Sequence, residues 1–92
     1  MFKQKIEKGI KFLDQNYPDW LDKIDVSELN LNDCHQCVMG QLLGNYIFAR
    51  KKHGINTLHK LGFNITDRYP NHLQLTKEWK ETIKNKKQNQ LQ

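Results

Sequence analysis

The stretch "DCHQCVMGQLLGNYIFA", residues 33–49, contains the most apolar run of the chain. After its second cysteine, only Gln41 and Asn45 carry conventionally polar side chains. A helix that is apolar on nearly all sides is one that other elements surround. The stretch therefore predicts a buried central helix, at about residues 34–53, around which the rest of the chain packs.

The ends and the packing of this predicted helix follow from single residues. Asp33 is the expected N-cap, because its carboxylate can accept hydrogen bonds from the unpaired amides of the first turn. Gly54 suits the left-handed residue that ends a helix. Gly40 and Gly44 lie one turn apart, although a glycine inside a helix costs about 1 kcal/mol relative to alanine. This cost predicts that another backbone, for which the first helix is the candidate, packs very close there.

Amphipathic patterns flank the central run on both sides. The N-terminal pattern predicts a helix that ends near Asn16, because Pro18 disfavours the helical conformation of the residue before it. Its inward stripe is Phe2, Ile6, Ile10, Leu13 and Tyr17. The C-terminal pattern predicts a helix that begins near Asn71 or Thr76. Its inward stripe is Leu75, Trp79 and Ile83.

These patterns predict an all-α fold, a small single-domain helical bundle with amphipathic N- and C-terminal helices. A chain of 92 residues forms one domain that buries about two-thirds of its unfolded surface, which excludes a deep cleft between two domains. We expect this domain to span residues 1–84. Residues 85–92, "NKKQNQLQ", have one apolar side chain and predict a basic, polar, disordered tail.

Location follows from what the chain lacks. It has no apolar stretch of membrane-spanning length, and its first residues are broken by charges, unlike a secretory signal. We expect a cytoplasmic protein that does not contact a membrane, with its two cysteines as free thiols.

The net charge of +5 conceals a segregation of charge. Residues 14–33 carry six acidic side chains against Lys23 alone, so this segment has a charge of −5 and the remainder +10. Basic ends attract phosphate backbones or acidic proteins. A solvated lysine-rich surface is the plainer interpretation.

Cys34, His35 and Cys37 supply half of a zinc site in the C-x-x-C spacing. A closed site needs further ligands, for which His53 and His59 are the only later candidates. His53 lies about 25 Å away at the far end of the predicted central helix. We therefore expect no metal and no cofactor, unless two chains share an ion.

The cysteines are also candidates for a nucleophile, because a helix N-terminus favours the thiolate. A nucleophile needs a base that a third group holds in place. His35 points about 100° away from its neighbours on a helix, and Asp33 disfavours a nearby thiolate. Cys37 is better explained as a small buried residue that allows tight packing beside Gly40. The sequence thus predicts a protein that is not an enzyme.

Two binding patterns remain. The segment "ARKKHGINTLHKLGF" has the outline of a helix, a glycine turn and a second helix, but a second helix of barely two turns is a weak sign of a DNA-reading helix. The candidate anion contacts are Arg50, Lys51, Lys52, His59 and Lys60. Separately, Gln41 and Asn45 could form a polar notch for a small ligand or partner, or could satisfy backbone groups in an irregular loop.

The pattern "IDVSELNLNDCHQCVMGQLLGNY", followed by "LGF" and "LTKEWKETI", resembles a family of short phage and prophage proteins. The family pattern is Cys-Val-Leu-Gly-Gln-Leu with a tyrosine soon after, then Leu-Gly-Phe and a final Leu-Thr-x-x-Trp helix. The resemblance covers roughly residues 5–84. It implies that Cys37, Gly40, Gln41 and Tyr46 are signature positions, and Met39 replaces a leucine. It implies a phage-type setting in a bacterial host cell, and no particular activity.

The favoured hypothesis is a small non-enzymatic phage-type accessory protein that binds a host protein and inhibits or modulates it, for example in defence. Its candidate contacts are Cys37, Gln41, Asn45 and Tyr46. The alternatives are a small basic nucleic-acid-binding regulator and a nucleotide-sequestering domain. The oligomeric state is open, a homodimer being one option.

Overall fold

The computed structural model describes residues 2–64 and 71–90, and this part of the chain contains six α-helices and no strand. The helices are α1 (Lys3–Asn16), α2 (Trp20–Lys23), α3 (Val38–Leu43), α4 (Tyr46–His53), α5 (Ile55–Lys60) and α6 (Asn71–Gln90), with a 3-10 turn at Val26–Glu28 between α2 and α3. The predicted all-α fold is confirmed. None of these helices is long and apolar enough to cross a membrane.

The two amphipathic helices lie where the sequence predicts them. α1 ends at Asn16 and α6 begins at Asn71. Their inward stripes are buried, with Ile6, Ile10 and Leu13 on α1 and Leu75, Trp79 and Ile83 on α6. Apolar spacing of three and four residues is therefore sufficient to locate both helices and the faces that they bury.

Trp79 joins α6 to the segment that follows α5. Its ring stacks on Phe63 with centroids 5.5 Å apart, and its Nε1–H donates to the carbonyl oxygen of Gly62 at 2.7 Å. α1 packs against the same segment through Gly9, where an added Cβ would collide with the carbonyl oxygen of Leu61. Trp79 and Gly9 thus bring the two long helices together at residues 61–63.

The prediction of one continuous helix at residues 34–53 is wrong, because the chain forms α3 and α4 there. Gly44 has a φ of 92° and ends α3 in the left-handed conformation. Asn45 is extended, and its side-chain oxygen accepts from the amide of Ile47 at 2.9 Å. The Gly-Asn pair is therefore a C-cap followed directly by an N-cap, which divides the apolar run.

The predicted N-cap at Asp33 is also wrong. α3 begins at Val38, and its N-cap is Cys37, whose Sγ accepts from the amide of Gly40 at 3.2 Å. Asp33 Oδ1 instead accepts from the amides of His35 and Gln36, at 2.8 and 3.1 Å. These two hydrogen bonds fold residues 33–36, which precede α3, into a turn outside the helix.

The predicted burial of the central run on all sides holds only for the first residues of α3, is partial for its last three, and fails for α4. Val38 and Met39 are fully buried, as is Ala49 on the inner face of α4. On the outer face of α4, Ile47 is 41% exposed and Phe48 is 54% exposed. The apolar run therefore contributes one helix to the core and one helix with an apolar outer face.

The predicted disordered tail is wrong for residues 85–90, which continue α6. Lys87 Nζ donates to the carbonyl oxygen of Ile24 at 2.9 Å and fastens this end of the helix to the residue after α2. A polar composition does not prevent a helix that is already nucleated from continuing, since propagation adds one hydrogen bond for each residue fixed. Residues 91–92 lie outside the described part of the chain.

Candidate functional site

A groove of about 400 Å³ lies between the loop that precedes α3 and the first residues of α4, α5 and α6. Leu31, Cys37 and Ile55 provide apolar lining. Its polar lining includes Asp33, Cys34, Tyr46, Asn64 and His72. Concave sites of this size, apolar with a few polar groups, are the usual form of a binding site.

The loop that forms one wall of the groove is held by its own backbone and by α6. The amide of Asn30 donates to the carbonyl oxygen of Gln36 at 3.0 Å, which closes the loop. The amide of Leu31 donates to Thr76 Oγ1 of α6 at 2.9 Å. Leu31 is 5% exposed, so its side chain anchors the loop in the core.

Gln41 fixes the same loop from behind and does not line the groove. Its Oε1 accepts from the amide of Asp25 at 2.6 Å. Its Nε2 donates to the carbonyl oxygens of Asp25 and Gln36, each at 3.1 Å. Since Asn45 caps α4, both amides serve the backbone, which is the second of the two interpretations of the polar pair.

Gly40 allows the loop to approach α3. A Cβ on Gly40 would collide with the backbone of Cys34 and His35. The predicted close backbone is therefore present at Gly40, but it belongs to this turn and not to α1. At Gly44 an added Cβ would meet nothing within 4 Å, so that glycine is required by its positive φ.

Two further hydrogen bonds secure the turn at residues 34–35. The carbonyl oxygen of Cys34 accepts from the amide of Tyr46 at 2.7 Å. His35 Nδ1 lies 2.9 Å from the carbonyl oxygen of Gly44 and donates to it. The turn is thereby joined to both sides of the break between α3 and α4.

Cys37 is a packing residue, as the sequence predicts, with 2% of its surface exposed. Burial raises the pKa of its thiol to about 11, so the thiolate is disfavoured. Cys34 is a free, exposed thiol on the same groove. The two cysteines therefore differ in access to solvent although only two residues separate them in sequence.

We expect iodoacetamide to alkylate Cys34 rapidly and Cys37 slowly under native conditions. Raising the pKa of Cys37 from 9.0 to about 11 lowers its thiolate fraction about 100-fold at about pH 8, and burial restricts access further. Mass spectrometry of peptides after timed alkylation measures both rates. As a control, the two cysteines should be alkylated at equal rates after unfolding in guanidinium chloride. Equal alkylation rates for Cys34 and Cys37 in the native protein would contradict the burial of Cys37.

Tyr46 and Asn64 form the polar part of the groove lining. Asn64 Nδ2 donates to the Tyr46 hydroxyl oxygen. Burial raises the pKa of the half-buried Tyr46 phenol, which therefore keeps its proton at neutral pH. Asn64 Oδ1 is buried and accepts no hydrogen bond within the described residues. The groove lining thus contains one hydroxyl that can donate, whereas a ligand can reach the buried Asn64 Oδ1 only after the Asn64 side chain moves.

The predicted site residues divide into separate regions. Cys37 and Tyr46 line the groove. Arg50, Lys51 and Lys52 are exposed in the last turn of α4, and Lys60 is exposed on α5. His59 is half-buried, with its Nε2 3.5 Å from Lys5 Nζ of α1. The candidate anion contacts therefore lie outside the groove.

Asn64 and His72 are groove residues that sequence reasoning missed. Asn64 follows the "LGF" motif, and His72 is in the first turn of α6. Neither belongs to a periodic pattern or to a metal spacing. The position of Asn64 directly after that motif is the one signal that could have drawn attention to it.

No group of three His, Cys, Asp or Glu side chains is placed to hold a metal ion in the described residues. The sequence argument against a zinc site placed His53 about 25 Å from the two cysteines, at the far end of one continuous helix. Because the helix is broken at Gly44, that distance no longer applies.

No protein-family model, no curated protein sequence and no solved structure matches this chain.

Proposed function

We propose that the protein is a small non-enzymatic accessory protein of the phage type, which binds a host protein through this groove and thereby inhibits or modulates it. The observation that carries the proposal is a groove of mixed apolar and polar lining, in which the Oδ1 atom of Asn64 is buried and has no hydrogen-bond partner among the described residues. A buried acceptor without a partner costs about 1–3 kcal/mol. A partner that reorients the Asn64 side chain and donates to its Oδ1 recovers this cost, whereas a partner without a donor does not.

The rigidity of the groove wall supports a binding role. The hydrogen bond that Gln41 donates and the one that Thr76 accepts, together with the contact at Gly40, fix the loop at residues 30–37. A preformed site binds without the cost of ordering a loop. The raised pKa of Cys37 also favours binding over cysteine catalysis, since the buried thiol is a poor nucleophile.

The nucleotide-sequestering alternative has less support than this proposal. It relied on Gln41 and Asn45, and both amides are already bonded to the backbone. The described lining of the groove contains the carboxylate of Asp33 and no lysine or arginine. An anionic ligand would therefore meet a negative charge there.

The test uses Cys34 as a natural attachment point at the groove. Cys34 carrying benzophenone-maleimide is expected to cross-link a discrete protein in a lysate of a bacterial host. The control is Cys34→Ser with Gln15→Cys, which moves the same reagent to an exposed position on α1. Adducts that are identical for the two positions would contradict the proposal.

Two matched variants, one in the groove and one outside it, test whether the cross-linked protein binds in the groove. Ile55→Glu places a charge in the groove, at a residue that is 41% exposed and tolerates the change. Leu73→Glu makes the same change in the first turn of α6, at a residue that is 54% exposed and outside the groove lining. The adduct at Cys34 is expected to disappear with Ile55→Glu and to persist with Leu73→Glu. Its persistence in both variants would contradict binding in the groove.

A further inference from the structure

We propose that the outer face of α4 binds single-stranded nucleic acid, with Phe48 as the stacking surface and Lys51 and Lys52 as phosphate contacts. This binding surface lies apart from the groove and goes beyond the function proposed for it.

Phe48 is the central residue of this face. Its side chain is 54% exposed on α4, so a large part of the ring surface is in contact with solvent. Lys51 and Lys52 follow it by three and four residues, a spacing that puts side chains on the same side of a helix. An exposed aromatic ring beside cations is the combination on which unpaired bases stack while the nucleic-acid backbone is neutralised.

The charge of the region is of one sign. Residues 34–64 contain no aspartate or glutamate, whereas α4 and α5 carry Arg50, Lys51, Lys52 and Lys60. Without acidic neighbours in these helices, the cations are not neutralised within their own elements. The negative segment at residues 14–33 approaches α4 at Tyr17, which Lys52 and His53 contact, while α4 and α5 themselves carry positive charge only.

Contacts with α1 extend the basic surface. The His53 ring lies 5.0 Å from Phe12, near the C-terminal end of α1, while His59 contacts Lys5 near its N-terminal end. The chain from α4 to α5 therefore runs antiparallel to α1 and brings Lys5 beside it. Between Phe12 and Lys5 the helix rises about 10 Å, which extends the surface beyond the reach of one phosphate.

The Lys52 side chain contacts the aromatic ring of Tyr17. Its Nζ lies 5.7 Å from the centroid of the Tyr17 ring. The Tyr17 hydroxyl in turn lies 2.8 Å from His53 Nε2. Burial, with the charge of Lys52, lowers the pKa of His53, so the neutral ring accepts the hydrogen bond from Tyr17 at neutral pH. The Lys52 ammonium group is thus held at the Tyr17 ring, and its residue lies one helical turn along α4 from Phe48.

The same geometry argues against reading of duplex DNA by α5. This helix has six residues, and His59, one of its few base-reading candidates, is half-buried against Lys5. A recognition helix must present several side chains to base edges in the major groove. Stacking and charge on α4 instead predict binding to single strands with little sequence preference.

Fluorescence anisotropy with a labelled oligothymidylate of about 15 nucleotides tests the proposal. We expect Phe48→Ala to weaken binding between about 5-fold and 100-fold, and the double variant Lys51→Gln, Lys52→Gln to reduce the slope of log K against log salt by about 1.4. The matched controls are Leu73→Ala, which removes an equally exposed apolar residue, and Lys77→Gln with Lys84→Gln on α6. Circular dichroism confirms that each variant keeps its helices.

Several outcomes would overturn the proposal. The first is the absence of binding at low salt. The second is an equal loss in the control variants, which would indicate diffuse attraction of a polyanion. The third is competition by poly-glutamate together with an unchanged affinity in Phe48→Ala, which would assign this face to an acidic protein. Each of these results leaves the cross-linking test of the groove unaffected.

Discussion

Trp79→Ala is expected to lower the free energy of unfolding by about 3–5 kcal/mol, a large part of the 5–15 kcal/mol typical of a domain. Trp79 is fully buried, and its removal leaves a cavity beside Phe63. It also leaves the carbonyl oxygen of Gly62 without its donor. Denaturant unfolding followed by circular dichroism measures the change.

Two further variants separate the contributions of Trp79. Trp79→Phe keeps most of the packing and removes the indole N–H, so its cost should be the smaller part, about 1–3 kcal/mol for an unsatisfied buried acceptor. Leu73→Ala, on the same helix but 54% exposed, should change the free energy of unfolding by less than about 0.5 kcal/mol. A loss below about 1 kcal/mol for Trp79→Ala would contradict its place in the core.

Gly40→Ala is expected to destabilise the protein by about 1–3 kcal/mol or more and to open the groove wall. The new Cβ would collide with backbone atoms of Cys34 and His35, which cannot rotate away as a flexible side chain does. The turn must therefore shift, and the cover over Cys37 shifts with it. Alkylation of Cys37 should become faster, in addition to the loss measured by denaturant unfolding.

Gly44→Ala is the matched control for this effect. A Cβ there meets no atom within 4 Å, but the φ of 92° costs an alanine roughly 1–2 kcal/mol. We therefore expect a loss of stability in both variants and faster alkylation of Cys37 in Gly40→Ala alone. Comparable exposure of Cys37 in the two folded variants would show that collision at Gly40 is not what holds the turn.

The sequence predicted correctly the helices whose apolar residues recur at regular spacing over several turns. α1 and α6 each bury a stripe that recurs over several turns, so local exceptions do not hide it. The central run failed at Gly44 and Asn45, because a single positive φ divides an otherwise continuous apolar pattern. Apolar composition alone does not distinguish one buried helix from two helices joined by adjacent caps.

The candidate site was predictable only in part for a related reason. Cys37 and Tyr46, both singled out from the sequence, mark one side of the groove. Asn64 and His72 reach the groove from segments distant in sequence, and no spacing rule relates them to Cys37. The exposed Phe48 was hidden in the same way, because an apolar run indicates burial and does not show which face of a broken helix remains in solvent.

Gln41 has a consequence for any survey of variants of this protein. Its single amide links backbone atoms of Asp25 and Gln36, so a change at this position alters the groove without removing a group that a ligand touches. Under the proposed function, such a variant loses affinity for the partner and would be mistaken for a variant that removes a direct contact. Under the same proposal, selection on the shape of the groove would preserve Gln41 as strictly as a residue that touches the partner.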